Sequence, residues 1–231
     1  MIVFSLPDIA ALGFFLFAWV SYSMAVRLGL MQREGLNHSM DQFRTRWMEE
    51  MSRRDVRIVD SAIMASLQNG AAFFTSTSLI AIGGSATMLR ATDDMLKIVA
   101  DASLGLVADR VLWEWKIVGL LIIFGYAFFK FAWAYRLFNF TAILIGATPA
   151  RADPDGAARE AMVRRASRMN IAAGSHFTKG QRALFFALAY FGWFLGPYAF
   201  MATTAAVIVV MSARQFSSDA RRALEDDDAP A

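Results

Sequence analysis

Six polar or charged side chains stand inside stretches that are otherwise apolar: Asp60, Gln68 and Asn69 in one, Lys130, Arg136 and Asn139 in another. Amide and ionic groups are costly in hydrocarbon, so each must face protein, water or lipid headgroups. Two kinds of chemistry fit Gln68 and Asn69: an interhelical hydrogen bond that holds helices together, or the lining of a solute path. Lys130 has three options. Its four-carbon stem can run out to the headgroups, it can pair with Asp60, or it can attract an anion into a pocket or pore. Counting from Lys116 at 1.5 Å per residue places Arg136 at a membrane boundary, with Lys130 about 9 Å deeper.

Catalytic chemistry finds little to work with. The sequence has no cysteine and two histidines, His38 and His176. Disulfides, thiolate nucleophiles, iron–sulfur clusters and cysteine zinc sites are therefore excluded. No HExxH spacing, phosphate-binding loop, dinucleotide glycine fingerprint or GxSxG elbow occurs. A lipid-modifying enzyme would have to be built from Asp60, Lys130 and His176. The expectation is a protein that is not an enzyme and carries no metal and no cofactor. Asn37-His38-Ser39 matches a glycosylation sequon, but it falls in a segment expected to be cytoplasmic.

The elements that carry these residues are long and apolar. With 57% hydrophobic residues and a mean hydropathy of +0.41, the chain has more apolar surface than a soluble domain of 231 residues could cover. The apolar residues gather in four stretches, about 9–30, 58–86, 111–147 and 183–211, each at or above the roughly 20 residues needed to cross hydrocarbon. The runs are continuous, which excludes the alternating pattern of a transmembrane barrel. The reading is all-α: an integral membrane helical bundle of four transmembrane helices over 1–213, with amphipathic interfacial helices and a flexible acidic tail over 214–231. The first stretch lacks a basic flank and reads as an uncleaved anchor.

Seven Lys and Arg fall between Arg27 and Arg57 and seven between Arg151 and Arg182, against four from Arg90 to Lys116 and three after Met211. This alternation predicts cytoplasmic loops over about 31–57 and 148–182 and both termini outside, in a multi-pass protein of the bacterial inner membrane. In the first loop, Ser39 and Gln42 form a capping pattern, followed by Met40, Phe43, Trp47 and Met51 at helical spacing opposite Arg44, Arg46, Arg53 and Arg54. Such a helix can lie at the headgroups or pack on its own membrane domain. A second should begin near Asp153-Pro154 with Ala158, Met162, Ala166 and Met169 on one stripe. On the other side of the membrane, Thr92-Asp93-Asp94 starts a third, with Met95, Val99, Ala102 and Leu106 along it. Anionic lipid suits the basic faces, and nucleic acid is not expected.

Small residues supply packing surfaces. Gly70 lies on a ridge with Ala62 and Ser66, and Gly192 and Gly196 form a GxxxG followed by Pro197, which should kink or break the helix. Three motifs then stand out: Phe43-Arg44-Thr45-Arg46-Trp47-Met48 running into Ser61–Ala65, Lys130 followed by Tyr135-Arg136-Leu137-Phe138-Asn139-Phe140, and Gly180–Phe186 leading to Trp193-Phe194-Leu195-Gly196-Pro197. In these the chain resembles the domain-of-unknown-function family 599, multi-span membrane proteins of bacteria and plants. Asp60-Ser61 departs from the amide-and-basic pair more usual there. The resemblance implies a membrane location and a helical fold, but no activity, substrate or cofactor. Packing features outnumber reactive ones, so the expected function is a self-associating or accessory subunit of a membrane complex. The alternative is a homo-oligomeric channel or transporter for a small solute, an anion among the candidates, with Gln68, Asn69, Lys130 and Arg136 on its path.

Overall fold

The computed structural model describes residues 4–27, 36–101, 109–151 and 155–216. These form seven helices: α1 (Leu6–Arg27), α2 (Leu36–Ser52), α3 (Ile58–Arg90), α4 (Thr92–Asp101), α5 (Arg110–Ala147), α6 (Gly156–Leu195) and α7 (Pro197–Phe216), with no strand among the described residues. Four stretches are long and apolar enough to cross a membrane: Leu6–Val26, Ile58–Arg90, Arg110–Ala147 and Pro197–Arg214. The tail beyond Phe216, the pair Asp153-Pro154, and Ala102 and Leu106 lie outside the described residues.

The helix starts follow local chemistry. Ser5 and Asp8 form a reciprocal cap on α1: the Asp8 amide donates to Ser5 Oγ at 3.3 Å, and the Ser5 hydroxyl donates to the Asp8 carboxylate. Asp109 accepts from the Leu112 amide at 3.0 Å and Asp155 from the Ala158 amide at 2.9 Å, so α6 is capped by Asp155.

The chain divides into two compact units. Unit 1 comprises Met1–Leu36, Ser78–Tyr126 and Arg182–Ala231. Its core centres on Phe15, whose ring meets those of Trp19, Phe186, Tyr190 and Phe200 at centroid distances of 5.0–5.6 Å. α1 packs against α7. The apolar stretch 183–211 breaks rather than kinks at Pro197: the end of α6 and the start of α7 are separate helices that turn back on each other. Gly196 has φ 128°, which favours glycine, and its amide donates to the Trp193 carbonyl at 3.1 Å. Pro197 then opens α7, where its missing amide hydrogen is not needed. Gly192 lets the arms close, because a Cβ there would run into Thr203, whose hydroxyl donates to the Ala189 carbonyl at 2.7 Å. One glycine of the GxxxG is thus a packing surface and the other a helix stop.

Unit 2 comprises Asn37–Thr77 and Ala127–Gln181. Met48 and Met51 of α2 are fully buried beside Met64, Ala134, Phe138, Ala166 and Ala173. Of the two placements open to α2, its Met48, Met51 and Trp47 pack on its own unit, while Met40 and Phe43 remain exposed. Phe74 stacks on Phe131, and Phe177 meets both edge-on. Gly180 makes room for this, since a Cβ there would lie 2.7 Å from the Phe131 ring. Arg57 closes the end of α5: its guanidinium donates to the carbonyls of Ile145, Thr148 and Pro149 at 2.7–3.0 Å, satisfying acceptors that a helix C-terminus leaves unpaired.

Candidate functional site

The six intramembrane polar residues do not converge. In unit 2, Gln68 Nε2 donates to Asn139 Oδ1 at 2.8 Å, joining α3 to α5. Asn69 is on another face of α3 and is exposed. Arg136 is also exposed, with its guanidinium carbon 5.7 Å from the Trp133 ring centre and 5.4 Å from that of Phe140. Asp60 does not pair with Lys130. Its fully buried carboxylate accepts from Trp47 Nε1 and Arg54 Nη1 at 2.8 Å each, because α2 folds back over the start of α3 and brings a closer cation. Lys130 instead lies near His176, holding the imidazole below its ordinary pKa together with Lys179, after the larger effect of burial. Gly70 packs nothing: a Cβ there would meet open space.

A second polar group in unit 2 was not anticipated. Arg44 Nη1 donates to the side-chain oxygen of fully buried Asn170, and Thr45 and Ser167 share a hydrogen bond of 3.0 Å. Gly174 gives the guanidinium its space, since a Cβ there would lie 2.9 Å from Arg44 Cζ. Burial lowers the Arg44 pKa and raises that of Asp41, and their mutual attraction opposes both shifts. In the sequence Arg44 reads as one of the arginines of the basic face of α2, with nothing to separate it from Arg46, Arg53 and Arg54. Nothing in the sequence named Asn170 as the acceptor.

In unit 1 the polar centre is Asp8, Lys116 and Trp193. Trp193 Nε1 donates to Asp8 Oδ1 at 2.8 Å, and Lys116 Nζ donates to the Trp193 carbonyl at 2.8 Å while lying 5.5 Å from its ring centre. All three are buried. One turn inward, beside this cluster, lies a cavity of about 480 Å³ between α1, α5 and α6, lined by Phe15, Trp19, Gly119, Ile123, Tyr126 and Tyr190 among others. That volume is within the range of small-molecule sites. None of the six residues singled out from the sequence lines it. Among the described residues no cluster of three His, Cys, Asp or Glu could hold a metal.

These arrangements clamp helices, and none places a nucleophile beside a base. No curated protein and no solved structure matches the chain. A family model described as a protein of unknown function, DUF599, matches residues 10–220. That match runs from within α1 past the end of α7 and takes in the Arg44–Trp47, Tyr135–Phe140 and Trp193–Pro197 motifs, so the chain belongs to this family of unknown function.

Proposed function

We propose that the protein is a membrane-embedded subunit that assembles with a second copy of itself along the outward face of α3. The observation that carries this reading is Asn69: an amide exposed on a 33-residue helix apolar enough to cross a bilayer, where lipid tails offer it no hydrogen bond. Asn69 does not stand alone. Ala62, Ser66, Asn69, Phe73 and Ser76 are all exposed and follow one another at intervals of four and three residues, the spacing of a left-handed helix pair. Small side chains let backbones approach, and a symmetric pair of asparagines can donate and accept at once.

The direction of the helices supports a topology for such a subunit. Within unit 1, α6 contacts α1 through Trp193–Asp8, Tyr190–Phe15 and Arg182–Tyr22, and contacts α7 through Gly192–Thr203 and Phe185–Arg214. α1 and α7 therefore run parallel, and both run opposite to residues 182–195. If the Arg-rich segments 31–57 and 148–182 are cytoplasmic, this supports an N-terminus outside and a C-terminus inside, rather than both outside.

The absence of cysteine makes the assembly directly testable. Single replacements Ser66→Cys, Asn69→Cys and Phe73→Cys should form a cross-linked dimer in native membranes, while Phe129→Cys, equally exposed but on α5, should not. Equal cross-linking at every exposed position would sink the α3 interface.

A further inference from the structure

We infer that the cavity of unit 1 is a binding site for one bilayer lipid, whose acyl chain enters between α1 and α5 and whose ester carbonyl accepts a hydrogen bond from Tyr190. This rests on the membrane reading of the apolar helices and not on self-association through α3. The lining is almost wholly apolar and comes mostly from α1 and α5, two helices that can cross a membrane, with Tyr190 and Trp193 of α6 behind them, so its occupant must be apolar over most of its length. The rim is open on the outer surfaces of those helices, where Trp115 is 54% exposed and Ile122 68%. A lipid tail has access there, and water does not.

Tyr190 makes this more than a gap for solvent lipid. Its side chain is only 3% exposed and lines the cavity, and its hydroxyl makes no hydrogen bond with any described residue. A hydroxyl that opens only on an apolar cavity, with no protein partner, is costly where no water can reach it. The backbone has been cleared for it: Gly119, also in the lining, lies so close to the Tyr190 hydroxyl that any Cβ would collide with it. The depth is suitable. The Asp8–Lys116–Trp193 cluster marks the polar end of the unit, and Tyr190 lies three residues, about 4.5 Å, inward along α6. That is the level just beneath headgroups, with Trp115 at the rim as an interfacial aromatic. The chain would then run past Ile123 toward Trp19 and Tyr126, whose rings lie 6.0 Å apart.

The test uses the full-length protein in nanodiscs doped with photoactivatable phospholipids that carry the same diazirine tail, joined either by an ester or by an ether. Labelling of the wild type should concentrate on Leu12, Phe15 and Ile123, and the ester lipid should label these residues several-fold more than the ether lipid, in keeping with one hydrogen bond. Tyr190→Phe keeps the ring and should erase the preference. If that variant does not fold, the ester-to-ether ratio on the wild type decides alone. Labelling spread evenly over all lipid-facing positions would overturn the site. An equal ratio would overturn the role of Tyr190. Displacement by an isoprenoid quinone but not by excess unlabelled ester lipid would assign the cavity to a different ligand.

Discussion

At the scale of residues, the basic side chains of the Arg-rich segments serve structure as well as charge. Arg57 caps α5, Arg44 reaches into unit 2 to Asn170, and Arg54 neutralises Asp60. Arg57 does its capping with both terminal nitrogens on three carbonyls, a fork geometry that a lysine could not reproduce. Asp60 is the residue whose loss should be felt most in unit 2, because it anchors both Trp47 and Arg54 of the α2 end to the start of α3. Arg54 keeps 44% of its side chain exposed, so water moderates the ion pair. Asp60→Ala should cost about 2 kcal/mol, the size of charge-assisted hydrogen bonds lost, and Asp60→Asn about half of that since it still accepts from Trp47. SDS-driven unfolding in mixed micelles measures both, and equal stabilities for the wild type and Asp60→Ala would refute the anchoring role.

At the scale of elements, the turn between α6 and α7 determines how the last apolar stretch is used. A helix through 183–211 would have been continuous but for one residue in a conformation open to glycine and one with no amide hydrogen. Gly196→Ala should destabilise the hairpin by about 1–3 kcal/mol through backbone strain, although a Cβ there meets no neighbour. Gly192→Ala should do comparable harm by a different cause, since its Cβ would strike Thr203. Thr203→Ala alongside Gly192→Ala separates the two: removing the Thr203 hydroxyl and methyl that the new Cβ would strike should recover part of the loss at Gly192 and none at Gly196. Thermal denaturation in detergent reads the difference, and equal recovery in both backgrounds would contradict the assignment of distinct roles. The α3 seam belongs to this scale as well. Gln68 and Asn69 are neighbours in sequence, yet one is bound within unit 2 and the other faces outward, because adjacent residues on a helix point about 100° apart.

At the scale of the whole molecule, the reversal at Gly196 bears on which side of the membrane each end occupies. Alkaline phosphatase fused after Phe216 should be inactive and a green fluorescent protein at the same place bright, as for a cytoplasmic C-terminus, while an N-terminal epitope should be reachable from outside. Both ends reporting the same side would mean that α7 does not cross as a separate helix. This result also bears on the proposed lipid, because the Asp8–Lys116–Trp193 end of unit 1 would then face outward and the lipid would come from the outer leaflet.

The helical fold and its membrane character were legible in the amino-acid sequence, because length and hydropathy over about 20 residues are local properties that no tertiary contact changes. The stop at Gly196-Pro197 was equally open to reading, since a break acts within one turn, but the caps were not: the Ser39–Gln42 pattern falls inside α2, and the observed caps are Ser5, Asp109 and Asp155. Partnership was not. Asp60 chose Arg54 over Lys130, Gln68 met Asn139 while Asn69 faced outward, and Tyr190 came to pack its hydroxyl directly against Gly119. In each case the choice depended on rotations and directions of helices far apart in the chain, which apolar stretches leave undetermined because lipid accepts every face of them. Tertiary packing alone decided which faces turned inward, and with that which polar atoms were left looking for a partner.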